Sequence, residues 1–144
     1  MINNKAFTLV ELLATMAILS IIMMIAIPNI MSIMEKNRNT AYIEDAKKIV
    51  ALAQYELNKN PSMEVPTRIT LGSLDQTELT TGPNDGDYDL TRSYVVISYD
   101  GEKYTYSVQL VENLKSGKRI GIPEVDSERL YDDNAIKTLV KEGI

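Results

Sequence analysis

Residues 12–34 contain no charged side chain, and only Thr15, Ser20, Asn29 and Ser32 bring polar groups into the run. A helix needs about 20 mostly apolar residues to cross the hydrocarbon of a bilayer, so the segment is long enough. Short polar side chains of this kind are tolerated in a helix surrounded by lipid. A core helix of a soluble domain is shorter and apolar on one stripe only. The run therefore predicts a membrane-spanning helix near the start of the chain. Lys5 precedes it, and Glu35, Lys36 and Arg38 follow it. That basic bias is too small to fix an orientation. A secretory signal peptide would show small residues in an A-x-A-like pattern after its apolar core. Here the core ends in Ile27, Pro28, Asn29, Ile30 and Met31, so the segment is expected to be retained.

Composition removes several kinds of chemistry. The chain has 144 residues, 15 Lys+Arg against 20 Asp+Glu, no His and no Cys. Without His and Cys there is no thiol nucleophile, imidazole base, disulfide or His/Cys metal site. The net charge of −5 disfavours nucleic acid, whose phosphates call for clustered Lys and Arg. No pair of acids has a spacing that defines an acid–base site, and no phosphate-binding loop is present. The chain reads as a non-enzyme with no cofactor and no metal.

The most specific feature is the entrance to the apolar run, residues Lys5, Ala6, Phe7, Thr8, Leu9, Val10 and Glu11. Glu11 places a carboxylate at the start of a membrane-length helix. At mid-bilayer an acid costs roughly 2.5–3.5 kcal/mol, and less near the edge. No basic residue lies three or four positions from it, so a partner within the chain is not expected unless the chain terminus supplies one. Such a residue calls for a functional partner.

This stretch resembles the cleavage and methylation motif of type IV prepilins and pseudopilins. The resemblance rests on a basic and a small residue, then Phe, Thr, Leu, a branched apolar residue and Glu. It covers residues 5–30 closely and the remainder only in layout. It implies that a prepilin peptidase cuts between Ala6 and Phe7 at the cytoplasmic face and that the new Phe7 amine is N-methylated. Glu11 is then the fifth mature residue, where the family places its acid, and Pro28 the twenty-second, where it places a helix-bending proline. Ala6 departs from the Gly usual before the cut. The implied role of Glu11 is assembly: in a filament the apolar helices pack together, and the Phe7 amine, commonly on a neighbouring subunit, partners the acid. Pro28, lacking an N–H, bends or locally opens the helix; a fixed kink and a segment that melts on assembly both remain open.

Beyond the apolar run the periodicity becomes amphipathic. Tyr42, Ala46, Ile49, Val50, Ala53 and Leu57 fall on one helical face, and Asn58, Asn60 and Pro61 make a stop. Residues 7–58 could form one helix of about 78 Å. Residues 59–92 read as loop, with a short strand over 67–71. The acid-rich turn at residues 84–89 could in principle ligate calcium, but a solvated turn fits its spacing better. Residues 93–99 and 102–111 flank Asp100 and Gly101, a favoured two-residue hairpin turn. That turn pairs Ile97 with Tyr104 and Val95 with Tyr106, and collects Val95, Ile97, Tyr99, Tyr104, Tyr106, Val108 and Leu110 on a face that packs on the helix. Core packing suits these tyrosines better than a ligand site. Residues 118–122 add a third strand, and residues 132–143 read as a helix capped by Asp132 or Asp133.

The expected fold class is α+β and pilin-like. It has a long N-terminal helix, membrane-spanning in its first half and packed on a small antiparallel sheet in its second, with a short C-terminal helix. The expected divisions are a leader (1–6), a transmembrane and assembly helix (7–34) and a globular head (35–144). The head comprises a helix (35–58), a loop (59–92), a hairpin (93–111) and a tail (112–144). The resemblance implies a structural subunit held in the bacterial cytoplasmic membrane with its head outside, then assembled into a cell-surface filament. Its implied partners are copies of itself, other pilins, the peptidase and methyltransferase, and the platform and ATPases of a pilus machine. The alternative is a pseudopilin of a type II secretion or DNA-uptake machine. A single-pass anchor with a binding head would require an uncut leader.

Overall fold

The computed structural model describes residues 6–74 and 78–144. Residues 1–5, which hold most of the expected leader and Lys5, lie outside the described residues. Two compact units are present, Met1–Glu35 and Lys36–Ile144. Helix α1, Leu9–Lys59, contributes to both.

In the first unit α1 buries nothing. Its large apolar side chains stand exposed, from Leu9 to Met34. Among the described residues nothing in the unit covers them, so the helix is held by its own backbone bonds and by side chains that fold back onto it. Thr15 donates to Leu12 O at 2.8 Å, Ser20 to Met16 O at 2.8 Å and Ser32 to Asn29 O at 2.9 Å. These bonds let polar groups sit in an apolar medium without an outside partner. The helix runs through Pro28.

In the second unit the amphipathic face forms the core. Tyr42, Ile43, Ala46, Ile49, Val50, Ala53 and Leu57 are all buried. They pack with Val95, Ile97, Val108, Leu110 and Ile122 from the sheet. The helix ends at Lys59, where Asn60 N donates to Glu56 O at 3.0 Å, just ahead of Pro61.

The sheet has six strands: β1 (Thr67–Thr70), β2 (Asp87–Tyr88), β3 (Tyr94–Tyr99), β4 (Tyr104–Asn113), β5 (Arg119–Asp126) and β6 (Lys141–Glu142). Its order is β1-β3-β4-β5-β6, with β2 pairing β4 where β3 has ended. Every pairing is antiparallel. An α+β fold with a long N-terminal helix, an antiparallel sheet and a short C-terminal helix is thus present, as expected.

Three local expectations are corrected. The β3–β4 pairing is Tyr99↔Tyr104, Ile97↔Tyr106 and Val95↔Val108, two residues away from the predicted register. Asp100 causes the shift. Its carboxylate accepts from Glu102 N and Lys103 N, both at 2.9 Å, and its own N–H donates to Lys103 O at 3.1 Å. These bonds close a loop over residues 100–103, with Gly101 at φ +105°, a conformation glycine adopts without a Cβ clash. A shift of two keeps every side chain on its predicted face. In place of a helix over 132–143 there is a 3₁₀ helix, Ser127–Tyr131, and then a single α-helical turn, α2 (Ala135–Thr138), preceded by Asn134 and not by Asp132 or Asp133. Its continuation is drawn into the sheet instead, as β6 pairs Lys141 with Gly121 and Glu142 with Ile120. Residues 59–92 carry more order than a loop: besides β1 and β2 they include a 3₁₀ turn, Leu71–Ser73, with Leu71 buried.

Candidate functional site

Ala6, Phe7 and Thr8 lie ahead of α1 and are exposed, Phe7 by 85%. The Ala6–Phe7 peptide is therefore outside any helix or strand. Thr8 occupies the N-cap position. Its Oγ1 accepts from Glu11 N at 3.3 Å, and Glu11 Oε2 accepts from Thr8 N at 2.8 Å. This reciprocal pair is a capping box, which satisfies two helix-end donors at once. A carboxylate in a helix's first turn also lies at the positive end of the helix dipole. The expectation that Glu11 has no partner within the chain is thereby corrected: the Thr8 backbone fills that role. The signal was in the sequence, since Thr8-Leu9-Val10-Glu11 is a T-x-x-E pattern ahead of an apolar run.

Pro28 sits inside α1 and offers no N–H to the carbonyl of Met24, four residues back. One residue on, the side-chain amide of Asn29 donates to Ile25 O at 3.2 Å. Glu11 and Pro28 thus belong to one exposed apolar helix, Glu11 at its capped start and Pro28 well inside it.

The second unit contains a polar cluster that the sequence reading missed. Glu112 is fully buried. Its carboxylate accepts from Gly86 N at 2.7 Å, from Asn84 N at 3.1 Å and from the Tyr42 hydroxyl. The Asn84 amide donates to the Tyr42 oxygen at 2.8 Å. Among the described residues no Lys or Arg pairs with Glu112, so backbone N–H groups and a phenol carry the whole task of solvating it. The loop must come close to do so. A Cβ on Gly82 would lie 2.3 Å from Glu112 Cδ, and one on Gly86 would lie 2.4 Å from Asn113 O. The clue was parity: Val108, Leu110 and Glu112 share the inward face of β4, which makes Glu112 an acid at a core position.

Around this cluster burial, followed by the hydrogen bond to Glu112, pushes the Tyr42 hydroxyl well above the usual phenol range. Burial, then the bond to Asp45 at 2.8 Å, does the same for Tyr88. The two rings meet edge-on with centroids 6.4 Å apart. In the turn once weighed for calcium, Asp85 and Asp87 are exposed. Asp89 Oδ1 accepts from Arg92 N at 2.9 Å and from Thr91 Oγ1 at 2.8 Å, and Asp89 Oδ2 from Asn113 at 3.2 Å. Partial burial pushes the Asp89 carboxyl upward, but these bonds outweigh it and hold it at about 2. Among the described residues no three acidic side chains gather as a metal site.

Residues 1–27 match the family described as the prokaryotic N-terminal methylation motif. This is the cleavage and methylation signature of type IV pilins and pseudopilins, a structural family and not an enzyme family. The motif and the apolar helix together fit a membrane-anchored pilin-type subunit. No curated protein and no solved structure matches the chain.

Proposed function

We propose that this chain is a structural subunit of a type IV pilus. A prepilin peptidase cuts between Ala6 and Phe7, the Phe7 amine is methylated, and the mature chain waits in the cytoplasmic membrane with its head outside. Assembly machinery then moves it into a helical surface filament through its N-terminal helix. Glu11 steers that assembly by pairing with the Phe7 amine of a neighbouring copy, and Pro28 lets the helix bend to fit.

The observation that carries this reading is the division of labour within α1. Its first unit exposes an apolar surface that water will not tolerate, beginning at a processing motif. Its second unit closes its own core against a sheet. A subunit that is first held by lipid and later by its own kind needs both properties. Removing the first helix from lipid leaves Glu11 with its cap alone, and a carboxylate buried in a helix bundle demands a cation.

Shearing native cells and imaging the released material tests the proposal. Long filaments that contain this chain as a principal component are expected. A chain confined to the envelope, beside a secretion or DNA-uptake machine and absent from sheared filaments, would replace this reading with the pseudopilin one.

A further inference from the structure

Within the second unit, the polar ties between α1 and the rest of the head gather at one end of the helix. The side-chain amide of Asn39 donates to Ile136 O at 3.1 Å. The Tyr42 hydroxyl donates to Glu112 and accepts from the Asn84 amide at 2.8 Å. Asp45 Oδ2 accepts from the Tyr88 hydroxyl at 2.8 Å. Lys47 adds a cation over the Tyr131 ring, 4.8 Å from its centroid. From Lys48 to Lys59 the described residues show no further tie of this kind. Lys48 and Lys59 pair with Asp45 and Glu56 of the helix itself, while Ile49, Val50, Ala53 and Leu57 join the head through apolar packing.

Asn39, Tyr42 and Asp45 are spaced by three residues, so they share one side of the helix within about 9 Å of its axis length. Yet they reach three different parts of the head. Asn39 holds the tail at α2, Tyr42 holds β4 and the loop at Asn84, and Asp45 holds β2. Tyr42, Glu112 and Tyr88 are buried, so water has little access to take over their bonds. Gly86 N, donating to Glu112 at 2.7 Å, ties the loop to the same carboxylate.

The chain passes from the apolar unit into the head through α1, and Lys36 is the first residue of the second unit. A hold on the apolar unit, by lipid or by neighbouring helices, therefore draws on the head from that end. The load meets Asn39, Tyr42 and Asp45 before it meets the apolar face. A hydrogen bond is directional and fails over a short displacement. Apolar burial has no direction and lets two surfaces slide while they stay covered. With no Cys in the chain, no disulfide shares the load. We infer that Asn39, Tyr42 and Asp45 form a clasp that carries tension from α1 into the tail, β4 and β2 at once. The source of that tension is the filament reading above, in which copies are held by their N-terminal helices while their heads face outward.

The test pulls single molecules of the full chain in detergent micelles. The absence of Cys makes engineered thiol handles unique. Lys36→Cys with Glu102→Cys loads the clasp first, and Lys59→Cys with Glu102→Cys loads the apolar end first. At constant force on the first pair, Tyr42→Phe is expected to speed unfolding of the head about tenfold or more. Asn39→Ala and Asp45→Ala are expected to speed it several-fold, and they carry the test if Tyr42→Phe does not fold. Ile49→Ala causes the larger loss in denaturant, yet on this pair it is expected to act less than Tyr42→Phe. On the second pair the order is expected to reverse. Clasp variants that act no more strongly than Ile49→Ala on the first pair, or equally on both pairs, overturn the inference and leave the pilus reading standing. A clasp that holds in a chain never found in filaments would sink the pilus reading alone.

Discussion

Residues 12–34 and residues 42–57 belong to the same helix, yet only the second stretch hides a face. The second follows the rule for soluble proteins: Tyr42, Ala46, Ile49 and Ala53 are fully buried against a sheet, and the charges lie elsewhere. The first follows the rule for lipid: apolar all round, with its polar side chains turned back onto the backbone. The contrast shows that helix propensity says little about where a helix gets its stability. The head draws it from burial within the chain. The apolar unit has to find it outside, in a bilayer or in neighbouring copies.

Mutations should therefore separate the two regions by readout. The largest effect is expected at Glu11. On the pairing proposed above, Glu11→Ala should reduce sheared filaments by about a hundredfold or more, since breaking a buried ion pair costs about 3–5 kcal/mol, with the thermal unfolding of the head unchanged. Next is the head core. Ile49→Ala should destabilise the head by about 2–5 kcal/mol, read by denaturant unfolding of the full chain in detergent. Ile22→Ala in the apolar unit should leave that same transition in place. Glu112→Gln comes third, at about 2–3 kcal/mol, because an amide cannot accept from all the donors now aimed at the carboxylate. If Ile49→Ala spared the head, or Glu11→Ala melted it, the division between the regions would be broken.

Acid offers a smaller test that touches the head alone. The Asp89 carboxyl sits at about 2 in the folded head, below its ordinary value near 4. A carboxyl lowered by folding adds stability that is full above its unfolded value and lost as pH falls through its folded value. Unfolding free energy should therefore drop by about 1–2 kcal/mol between pH 4 and pH 2, after allowing for solvent screening. Asp89→Asn should flatten that part of the curve. The smallest effect is expected at the exposed pair Lys103–Glu128, 3.1 Å apart. Lys103→Ala should leave the unfolding transition almost where it is, and the small difference should vanish at high salt.

Much of this architecture was legible where periodicity was strong. The helical spacing of Tyr42, Ala46, Ile49, Val50, Ala53 and Leu57 identified the buried face, and alternation along 93–111 identified Val95, Ile97, Val108 and Leu110 as inward, whereas Tyr99 and Tyr104, expected in the core with them, are exposed at the hairpin's loop end. Features decided by single side-chain bonds were not legible in that way. Asp100 moved the hairpin register by two without disturbing the faces. The tail pattern of Ile136, Leu139 and Val140 fits a helix, but pairing with β5 claimed Lys141 and Glu142, and local spacing carries no trace of such a distant partner. Glu112 fell just past the expected end of the hairpin, and the loop that solvates it, at Asn84 and Gly86, is distant in sequence. At the start of the chain, the motif matched over residues 1–27 was legible in the run from Lys5 to Glu11. The Thr8–Glu11 cap was written there too, in a different grammar of helix ends.

The account depends most directly on what happens at the bond between Ala6 and Phe7. Intact-mass and fragment analysis of this chain from its native envelope tests it. The account predicts a polypeptide that begins at Phe7 and carries one added methyl group on that amine. A mature chain that still begins at Met1, with an unmodified Phe7 inside it, would contradict the account.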